Sequence, residues 1–340
     1  MRIGYLIANS LHYLPTIIPL IEKTGGVIFS FRRVSSSYLD LKNRIKIYHF
    51  RNYKHLLNKI SGFNLDVLIH PSFSIRYFKN ISDIKHVQVF HGTSDKPFNF
   101  HKSLKLYDLI VVPGEKMKED IIKKGLAEEE KIKIIGYPKI DSFLHSDFDE
   151  DSFIKKLGLI PERKNVLYSP TWDDPNHYSS FPKFIKVILR ELKDYNILVK
   201  PHPNIFKYRP WQIAMAYLYK HKNTFICNSN ISILPFMKIS DILLTDISSV
   251  SHEYLPFGKP MVFLSPKPVE KIPEEHRWIW HCGDVVENPK DLPKIVESNI
   301  HYKDKFYRDR VVALKKIFYK FDGKSADRFK EAIQKLIDGS

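Results

Sequence analysis

Cysteine is scarce in this 340-residue chain, which has only Cys227 and Cys282. Two isolated cysteines exclude a disulfide framework and a CxxC metal pair, and they are typical of a reducing, cytoplasmic compartment. No apolar run approaches the ~20 residues that a membrane-spanning helix needs. The apolar run near the N-terminus, at 2–8, is too short for a signal peptide and predicts a first buried strand. Any contact with a membrane is therefore expected to be peripheral.

Several motifs of catalysis and metal binding are missing as well. The chain has no GxxxxGK[ST] phosphate-binding loop, no GxSxG nucleophile elbow and no HExxH zinc helix. Asp147 and Asp149 form a DxD pair like that of metal-dependent sugar transferases, but they lie in a predicted linker instead of at a strand end. We therefore expect no bound metal and no cofactor.

Basic residues outnumber acidic residues by 54 to 38, which gives a net charge of +16. This surplus indicates anionic partners such as phosphates, an acidic lipid surface or nucleic acid, although a general surplus of solubilising side chains explains it equally well. The basic residues are spread along the whole chain, and the aromatic residues fall mostly within apolar, core-like runs. Because single-strand binders need aromatic platforms beside basic grooves, we expect no nucleic-acid partner.

Short apolar runs alternate with helical patterns along the chain. Most of these runs are continuously apolar, which is typical of parallel strands buried on both faces. The predicted strands are 2–8, 27–31, 66–70, 86–90, 108–112, 132–135, 165–169, 196–200, 224–227, 241–245 and 260–264, and the last predicted helices are 303–319 and 325–336. The alternation predicts an α/β fold with mostly parallel sheets.

The length suits two domains of ~150 residues each. An acidic and polar stretch between Asp141 and Asn165 interrupts the alternation. We therefore predict a first domain at 1–145, a second at 146–315 and a C-terminal helical segment at 316–340.

Polar groups at the carboxyl ends of parallel strands are where open α/β sheets bind ligands. In the first half of the chain, His91, Thr93 and Lys96 follow the predicted strand 86–90. A histidine can accept a proton near neutral pH, and the lysine adds a positive charge one turn further on. The alternative interpretation is a structural loop whose histidine bonds a backbone carbonyl.

Two strand ends in the second half carry similar groups. Ser169 and Thr171 follow the predicted strand 165–169, where their hydroxyls are candidates for the nucleotide side of a cleft. Lys200 and His202 each precede a proline, which holds the backbone extended. A stiff backbone suits a pre-placed phosphate contact or a general acid, and a rigid structural turn is the alternative.

A third strand end carries Asp246, Ser248 and Ser249, at a predicted helix start. Hydroxyls and free backbone N–H groups at such a start attract an anion, although plain N-capping is the commoner use of serine there. One turn further on, Glu253 is a candidate acceptor for ribose hydroxyls, with a solvent-exposed glutamate as the alternative.

Taken together, six motifs resemble the CDP-glycerol glycerophosphotransferase family, the teichoic-acid primases and polymerases. The motifs are His91-Gly92-Thr93 with Lys96, Gly136-Tyr137-Pro138 with Asp141, Tyr168-Ser169-Pro170-Thr171-Trp172, His202-Pro203, Thr245-Asp246-Ile247-Ser248-Ser249-Val250 and Asp322-Gly323-Lys324-Ser325-Ala326-Asp327-Arg328. They span roughly residues 85–328, in the order that the family shows.

The resemblance implies a GT-B fold, in which two Rossmann-like domains, an N-terminal acceptor domain and a C-terminal nucleotide-donor domain, face each other across a cleft. The last helix is then expected to cross back to the first domain. The implied reaction is metal-independent transfer of glycerol phosphate from CDP-glycerol to a hydroxyl of a polyprenyl-diphosphate-linked saccharide or glycan, with release of CMP.

The resemblance also implies roles for individual residues. His91 is the implied base that deprotonates the acceptor hydroxyl. His202, Ser248 and Ser249 are implied to hold the diphosphate, and Asp246 to support their turn. Arg328 is implied to position either the donor phosphates or the closing helix.

Some positions depart from the family's usual pattern. Ser94-Asp95 stands where Pro-Leu is usual, Lys139-Ile140 where Arg-Asn is common, and Glu253 where Asp is common. These departures leave ribitol or a sugar open as the donor group. No extra N-terminal domain of the long polymerases is recognisable, which favours a primase-like single addition at the anionic inner face of the cell membrane. A GT-B nucleotide-sugar glycosyltransferase or a UDP-sugar 2-epimerase is the alternative function.

Overall fold

The computed structural model describes residues 1–33, 45–81, 83–93, 100–228 and 231–339. These residues form two compact units. Unit 1 comprises Met1–Ser146 together with Lys315–Ser340, and unit 2 comprises Asp147–Leu314. Each unit is built on its own parallel sheet, and each is described below by itself.

The strands follow the predicted positions closely. In unit 1 they are β1 (Ile3–Ala8), β2 (Val27–Ser30), β3 (Ile47–His49), β4 (Val67–His70), β5 (Lys85–Val89), β6 (Leu109–Val112) and β7 (Ile132–Ile134). In unit 2 they are β8 (Asn165–Ser169), β9 (Asn196–Val199), β10 (Thr224–Ile226), β11 (Ile242–Thr245), β12 (Met261–Leu264) and β13 (Asp284–Val286).

Helices cover both sheets. They are α1 (Leu14–Thr24), α2 (Tyr53–Ile60), α3 (Glu115–Lys123), α4 (Pro138–Leu144), α5 (Glu150–Leu157), α6 (Phe181–Glu191), α7 (Pro203–Tyr208), α8 (Pro210–Leu218), α9 (Leu234–Ile239), α10 (Ser249–Tyr254), α11 (Glu274–Arg277), α12 (Leu292–His301), α13 (Tyr307–Ile317) and α14 (Ser325–Asp338). Among the described ranges, no helix has the length and apolar character required to cross a membrane.

Both sheets reverse their strand order at one point. The order is β3-β2-β1-β4-β5-β6-β7 in unit 1 and β10-β9-β8-β11-β12-β13 in unit 2, and the neighbouring strands pair in parallel. The chain therefore leaves β1 and β4, and likewise β8 and β11, in opposite directions along the sheet. In open α/β sheets the crevice at such a reversal, outside the carboxyl ends of the strands, is where ligands bind.

The two strands that the sequence did not predict, β3 and β13, both lie at sheet edges. Each has three residues, and most of their positions are partly or fully exposed. A central strand such as β1 is buried at all six positions and therefore reads as a continuous apolar run. Short edge strands lack that run, so periodicity alone does not separate them from loops.

The C-terminal helix α14 completes the core of unit 1. Phe329 and Ile333 on its inner face are fully buried among residues of β1 and α1. Burying each such side chain stabilises the fold by roughly 1.5–3 kcal/mol. The carboxylate of Asp141 in α4 accepts hydrogen bonds from the backbone N–H of Gly323 and Ser325, both at 2.9 Å, and from the Ser325 hydroxyl. The start of α14 is thus fixed to α4.

Two buried histidines face each other across β4 and β5. Nε2 of His70 lies 3.0 Å from Nδ1 of His86, and Nδ1 of His70 lies 2.7 Å from Oγ of Ser74. The rings of Phe78 and Tyr107 pack against His70. Burial holds the pKa of His70 well below its ordinary value, and the neighbouring His86 lowers it further. His70 is therefore neutral in the folded protein near neutral pH.

Acidification is expected to destabilise unit 1 through His70. Below the ordinary histidine pKa of 6.5 the unfolded chain binds a proton at this position, whereas the folded protein does not. Stability present above that pH is therefore lost as the pH falls, by up to about 1.4 kcal/mol per pH unit for one such histidine. Urea unfolding measured from about pH 7.5 down to about pH 5.5 checks this slope.

The variant His70→Gln is expected to lower the stability at neutral pH but to make the slope shallower. His49→Gln, at an exposed position of β3, is the matched control and should leave the slope as it is. An unchanged slope in His70→Gln would contradict the assignment.

Candidate functional site

The predicted groups of unit 2 meet where its sheet reverses order. Ser169 ends β8 and pairs with Thr245 at the end of β11. The hydroxyl of Thr245 donates to the carbonyl of Ser169 at 2.8 Å, and the hydroxyl of Ser169 donates to the carbonyl of Lys200 at 3.2 Å. The carboxyl ends of β9, β8 and β11 therefore form one connected edge, and this edge carries the residues that the sequence singled out.

Asp246 is the buried centre of that edge. Its Oδ1 accepts a hydrogen bond from the N–H of Thr171 at 2.8 Å, and its Oδ2 accepts from the N–H and the hydroxyl of Ser180 at 2.8 and 2.7 Å. One carboxylate thus ties the end of β11 to the loop after β8 and to the start of α6. Through these bonds Asp246 fixes the positions of Thr171 and Ser180. Its implied role, to support the turn that holds the diphosphate, is therefore an indirect one and stays a prediction.

The neighbouring polar groups differ in how they are used. Ser248 is the N-cap of α10, because its Oγ accepts from the N–H of Val250 at 3.4 Å. A hydroxyl that accepts a hydrogen bond still carries a proton to donate. Lys200 is largely buried, and its ammonium donates to the carbonyl of Asn228. Glu253 is also buried, so the solvent-exposed interpretation of this residue is wrong.

His202 precedes α7 and is oriented by its first turn. Nδ1 of His202 accepts a hydrogen bond from the N–H of Asn204 at 3.1 Å. A nitrogen that accepts from an N–H carries no proton itself, so the neutral ring has its proton on Nε2. The ring also stacks on Trp172 with centroids 6.4 Å apart. His202 is therefore set up to donate a hydrogen bond from Nε2.

His91, in unit 1, is oriented in the opposite sense. Its Nδ1 lies 2.6 Å from the carbonyl oxygen of Pro71. A carbonyl can only accept, so Nδ1 carries the proton and Nε2 presents its lone pair. The ring of Tyr13 packs against the imidazole, with centroids 4.4 Å apart, and the hydroxyl of Tyr137 donates to the His91 carbonyl at 3.0 Å. His91 is therefore held as a proton acceptor, half-buried at the carboxyl edge of its sheet.

Three neighbours of His91 were missed by the sequence reasoning. His12 and Tyr13 follow β1, and Ser72 follows β4, so they lie on the two strands between which the sheet of unit 1 reverses. The ring of His12 lies 5.4 Å from that of His91. His12 and Tyr13 are separated from the end of β1 by three residues, so the signal that singled out His91, a polar residue directly after an apolar strand, does not mark them.

The remaining predicted site residues are Thr93, Lys96 and Arg328. Thr93 is buried in unit 1 and lines a small cavity with Phe100 and Ile317. Lys96 lies outside the described residues. Arg328 donates from Nε to the carbonyl of Ile135 at 2.8 Å and forms two 3.0 Å hydrogen bonds with the Asp322 carboxylate.

The paired guanidinium of Arg328 lowers the pKa of Asp322 to about 2. Gly136 packs closely beneath it with a positive φ of 87°, and a larger side chain would be strained there, because an added Cβ would lie 2.9 Å from Oγ of Ser325 and 3.2 Å from the guanidinium. Of the two implied roles of Arg328, these contacts favour positioning of the closing helix α14.

The described residues contain no group of three or more His, Cys, Asp or Glu side chains arranged to hold a metal ion.

The sequence pattern of the chain matches that of a known family over nearly its full length. A family model described as CDP-Glycerol:Poly(glycerophosphate) glycerophosphotransferase covers residues 23–335. The chain belongs to this family. The match begins well before residue 85, so the family pattern also extends over a region in which no motif is recognisable. The predicted family is confirmed.

Named relatives come from teichoic-acid synthesis. The minor teichoic acid biosynthesis protein GgaB of Bacillus subtilis (strain 168) is 24% identical over 86% of this chain and 35% of its own length. The teichoic acid glycerol-phosphate primase of the same organism is 29% identical over 71% of this chain and 64% of its own length. The chain thus spans about a third to just under two thirds of these relatives.

The fold is shared with a solved variant of the wall teichoic acid polymerase TagF. The TM-score is 0.75 at 17% identity, over 100% of this chain and 89% of that chain. At this identity the likeness shows the fold alone. It confirms the predicted α/β fold with two Rossmann-like domains, whereas the roles of individual residues stay predictions.

Proposed function

We propose that this protein transfers an alditol phosphate, glycerol phosphate in the first instance, from a CDP-linked donor to an acceptor hydroxyl and releases CMP. The observation that carries the proposal is the opposite orientation of two histidines at carboxyl edges of parallel sheets. His91 presents a lone pair, as a base requires, and His202 presents an N–H, as a diphosphate oxygen requires. Membership of the family supplies the donor class.

In the proposed reaction the acceptor hydroxyl gives its proton to Nε2 of His91. The oxygen attacks the phosphorus next to the glycerol, forming a new P–O bond. The bond between that phosphorus and the bridging oxygen of the diphosphate breaks, and CMP leaves with the bonding electron pair on that oxygen. Because CMP is a good leaving group, a strong general acid is not required, and catalysis depends on alignment and on neutralising charge.

In this proposal, protein groups neutralise the negative charge on the oxygens of the transferred phosphate. Nε2–H of His202 and the hydroxyl of Ser248 donate hydrogen bonds, and the ammonium of Lys200 adds a positive charge near the same sheet edge. The burial of Lys200 favours this role, since a charge in a low-dielectric site acts more strongly than one in water. We therefore propose transfer without a metal ion.

Donor screening tests the reaction directly. We expect release of CMP from CDP-glycerol in the presence of a polyprenyl-diphosphate-linked saccharide, continuing in excess EDTA, and no turnover of UDP-sugars. The length of the product reports the number of units added, and a single unit is expected for a primase-like reaction. Turnover of UDP-sugars without CMP release would overturn the proposal in favour of a sugar transferase or 2-epimerase.

Amide substitutions test the two histidines. His91→Gln is expected to lower kcat by about 10²–10⁴-fold, because an amide at the position of Nε2 cannot accept the proton. His202→Gln is expected to keep much of the donor affinity, because its amide N–H can replace Nε2–H. His202→Asn, which is too short to reach, should weaken CDP binding by about tenfold.

Binding of CDP, measured by calorimetry, separates the two roles. His91→Gln should bind CDP as the wild type does. Full transfer activity in His91→Gln, or equal donor affinities in His202→Gln and His202→Asn, would contradict the orientations proposed here.

A surface of unit 2 supports the proposed peripheral contact with an anionic membrane. Helix α8 turns three large apolar residues outward: Trp211, Tyr217 and Leu218 are 56, 54 and 82% exposed. The inward side of the helix carries Gln212, Ile213 and Ala216, which are buried. An exposed patch of large apolar residues is unusual on a soluble surface and marks an interaction site.

Basic residues flank this outward face of α8. The exposed residues Lys207, Arg209, Lys220 and Lys222 come directly before and after the helix. The ammonium groups of Lys207 and Lys220 lie 4.7 and 5.8 Å from the rings of Tyr208 and Tyr217. Amphipathic aromatic rings with adjacent cations are typical of a membrane interface, where the rings enter the headgroup region and the cations meet acidic lipids.

Vesicle sedimentation tests this surface. Wild-type protein is expected to bind vesicles that contain phosphatidylglycerol and to bind less as salt increases. The double variant Trp211→Ser, Leu218→Ser should lose at least about tenfold in affinity, because each buried apolar side chain contributes more than 1 kcal/mol. Tyr302→Ser, at another exposed aromatic position of unit 2, is the control. Unchanged sedimentation of the double variant would exclude α8 as the contact.

A further inference from the structure

A groove of about 320 Å³ opens in unit 1 beside the loop that follows β4. Its walls are formed by Tyr53, Ser72, Phe73, Ser74, Arg76 and His101. Binding sites for small ligands combine aromatic side chains with a few convergent polar groups, and this groove has both at a size near the lower end of such sites.

The groove adjoins the proposed base. Ser72 on its wall directly follows Pro71, whose carbonyl orients His91 at 2.6 Å. The side chain of Ser72 also hydrogen-bonds Tyr13, and the ring of Tyr13 packs against His91. A ligand seated in the groove is therefore within one side chain of the imidazole.

The wall after β4 is held in place by buried groups. The hydroxyl of Tyr107 donates to the carbonyl of Ser72 at 3.2 Å and lies 3.4 Å from the backbone N–H of Ile75, which donates to it. Oγ of Ser74 lies 2.7 Å from Nδ1 of the buried His70. Because these partners fix the loop from beneath, the groove has its shape before a ligand arrives, which reduces the ordering cost of binding.

Aromatic rings form two sides of the groove. Tyr53 stacks on Tyr77 with centroids 3.9 Å apart, and Phe73 stacks on His101 with centroids 5.4 Å apart. Nδ1 of His101 accepts from the N–H of Ser103, so its Nε2 carries a proton to donate. Ring faces pack on the C–H faces of a pyranose, while this N–H can bond a sugar hydroxyl.

Arg76 supplies the positive charge of the groove. Its guanidinium donates to the hydroxyl of Tyr77 at 3.1 Å and lies 4.9 Å from the centre of that ring. Within the described ranges it forms no ion pair with a carboxylate. An exposed guanidinium held on an aromatic ring is a suitable bidentate partner for a phosphate.

We infer that this groove binds the saccharide of the acceptor, with the sugar against Phe73 and Tyr53 and its phosphate on Arg76. The inference rests on the proposed function and names the acceptor class for it, a sugar that carries a phosphate ester. The groove then places an acceptor hydroxyl next to His91.

Binding of a probe without turnover tests the groove. N-Acetylglucosamine 1-phosphate is titrated against the full chain by saturation-transfer NMR, with N-acetylglucosamine and inorganic phosphate as separate probes. The wild type is expected to bind the sugar phosphate more tightly than either part. Arg76→Gln should weaken its binding by about tenfold or more and leave N-acetylglucosamine binding unchanged. Phe73→Leu should weaken both sugars.

Arg2→Gln is the matched control, since Arg2 is exposed at the amino end of β1, on the opposite edge of the sheet. Circular dichroism of each variant excludes unfolding as the cause. Equal binding of the sugar phosphate by wild type, Arg76→Gln and Phe73→Leu overturns the inference, and so does a wild type that binds inorganic phosphate as tightly as the sugar phosphate.

Two further measurements distinguish a lipid-linked from a free acceptor, and a failure of the groove from a failure of the proposed reaction. The first uses the same sugar phosphate esterified to a short prenyl chain. Tighter binding with the prenyl chain indicates a lipid-linked acceptor, and equal binding with or without it indicates a free sugar phosphate. Either result supports the groove. CMP release from CDP-glycerol is measured independently. Its absence would remove the proposed function while the binding result still decides whether the groove takes a sugar phosphate.

Discussion

One buried carboxylate organises the sheet edge on which the candidate donor site depends. Asp246 accepts three hydrogen bonds from Thr171 and Ser180 and is wholly inaccessible to solvent. A buried carboxylate is costly unless such donors satisfy it, so the loop after β8 and the start of α6 are held where the carboxylate needs them. Strands β9 and β11 are the neighbours of β8 in the sheet, so the groups that follow these strands lie along the same edge.

The chemistry proposed for the protein depends on which backbone group, a carbonyl or an N–H, hydrogen-bonds to each of two histidines. His91 and His202 are the same residue type, and each follows shortly after a parallel strand. His91 bonds a carbonyl and His202 bonds an N–H, so the proton of the neutral ring is on Nδ1 in His91 and on Nε2 in His202. The proposed roles of base and donor rest on this difference.

The architecture could be predicted from the sequence because central parallel strands are buried on both faces and therefore appear in the sequence as continuous apolar runs. It missed β3 and β13, whose three-residue edge segments leave no such run. It found the strand-end groups of unit 2, since residues such as Ser169 and Asp246 follow apolar runs directly. It could not show that Asp246 and Glu253 are buried, because burial depends on contacts between distant segments.

In unit 1 the same reasoning singled out His91 but not the residues around it. His12 and Tyr13 belong to a region that carries no recognisable family motif, and they meet His91 only through the order of strands in the sheet. Strand order is set by long-range packing, which a local pattern does not report. The sequence could therefore single out His91, whose role as the base stays a prediction, while its surroundings required the structure.

The path of the chain has a consequence for its synthesis. Residues 147–314 form unit 2 without interruption, whereas unit 1 is assembled from the two ends of the chain. Phe329 and Ile333 fill the interior beside β1, more than 300 residues away along the chain. A nascent polypeptide on the ribosome can thus complete unit 2 first, while unit 1 keeps an open apolar face until α14 has been made. Termination within α14 would leave that face uncovered, although all thirteen described strands had already been made.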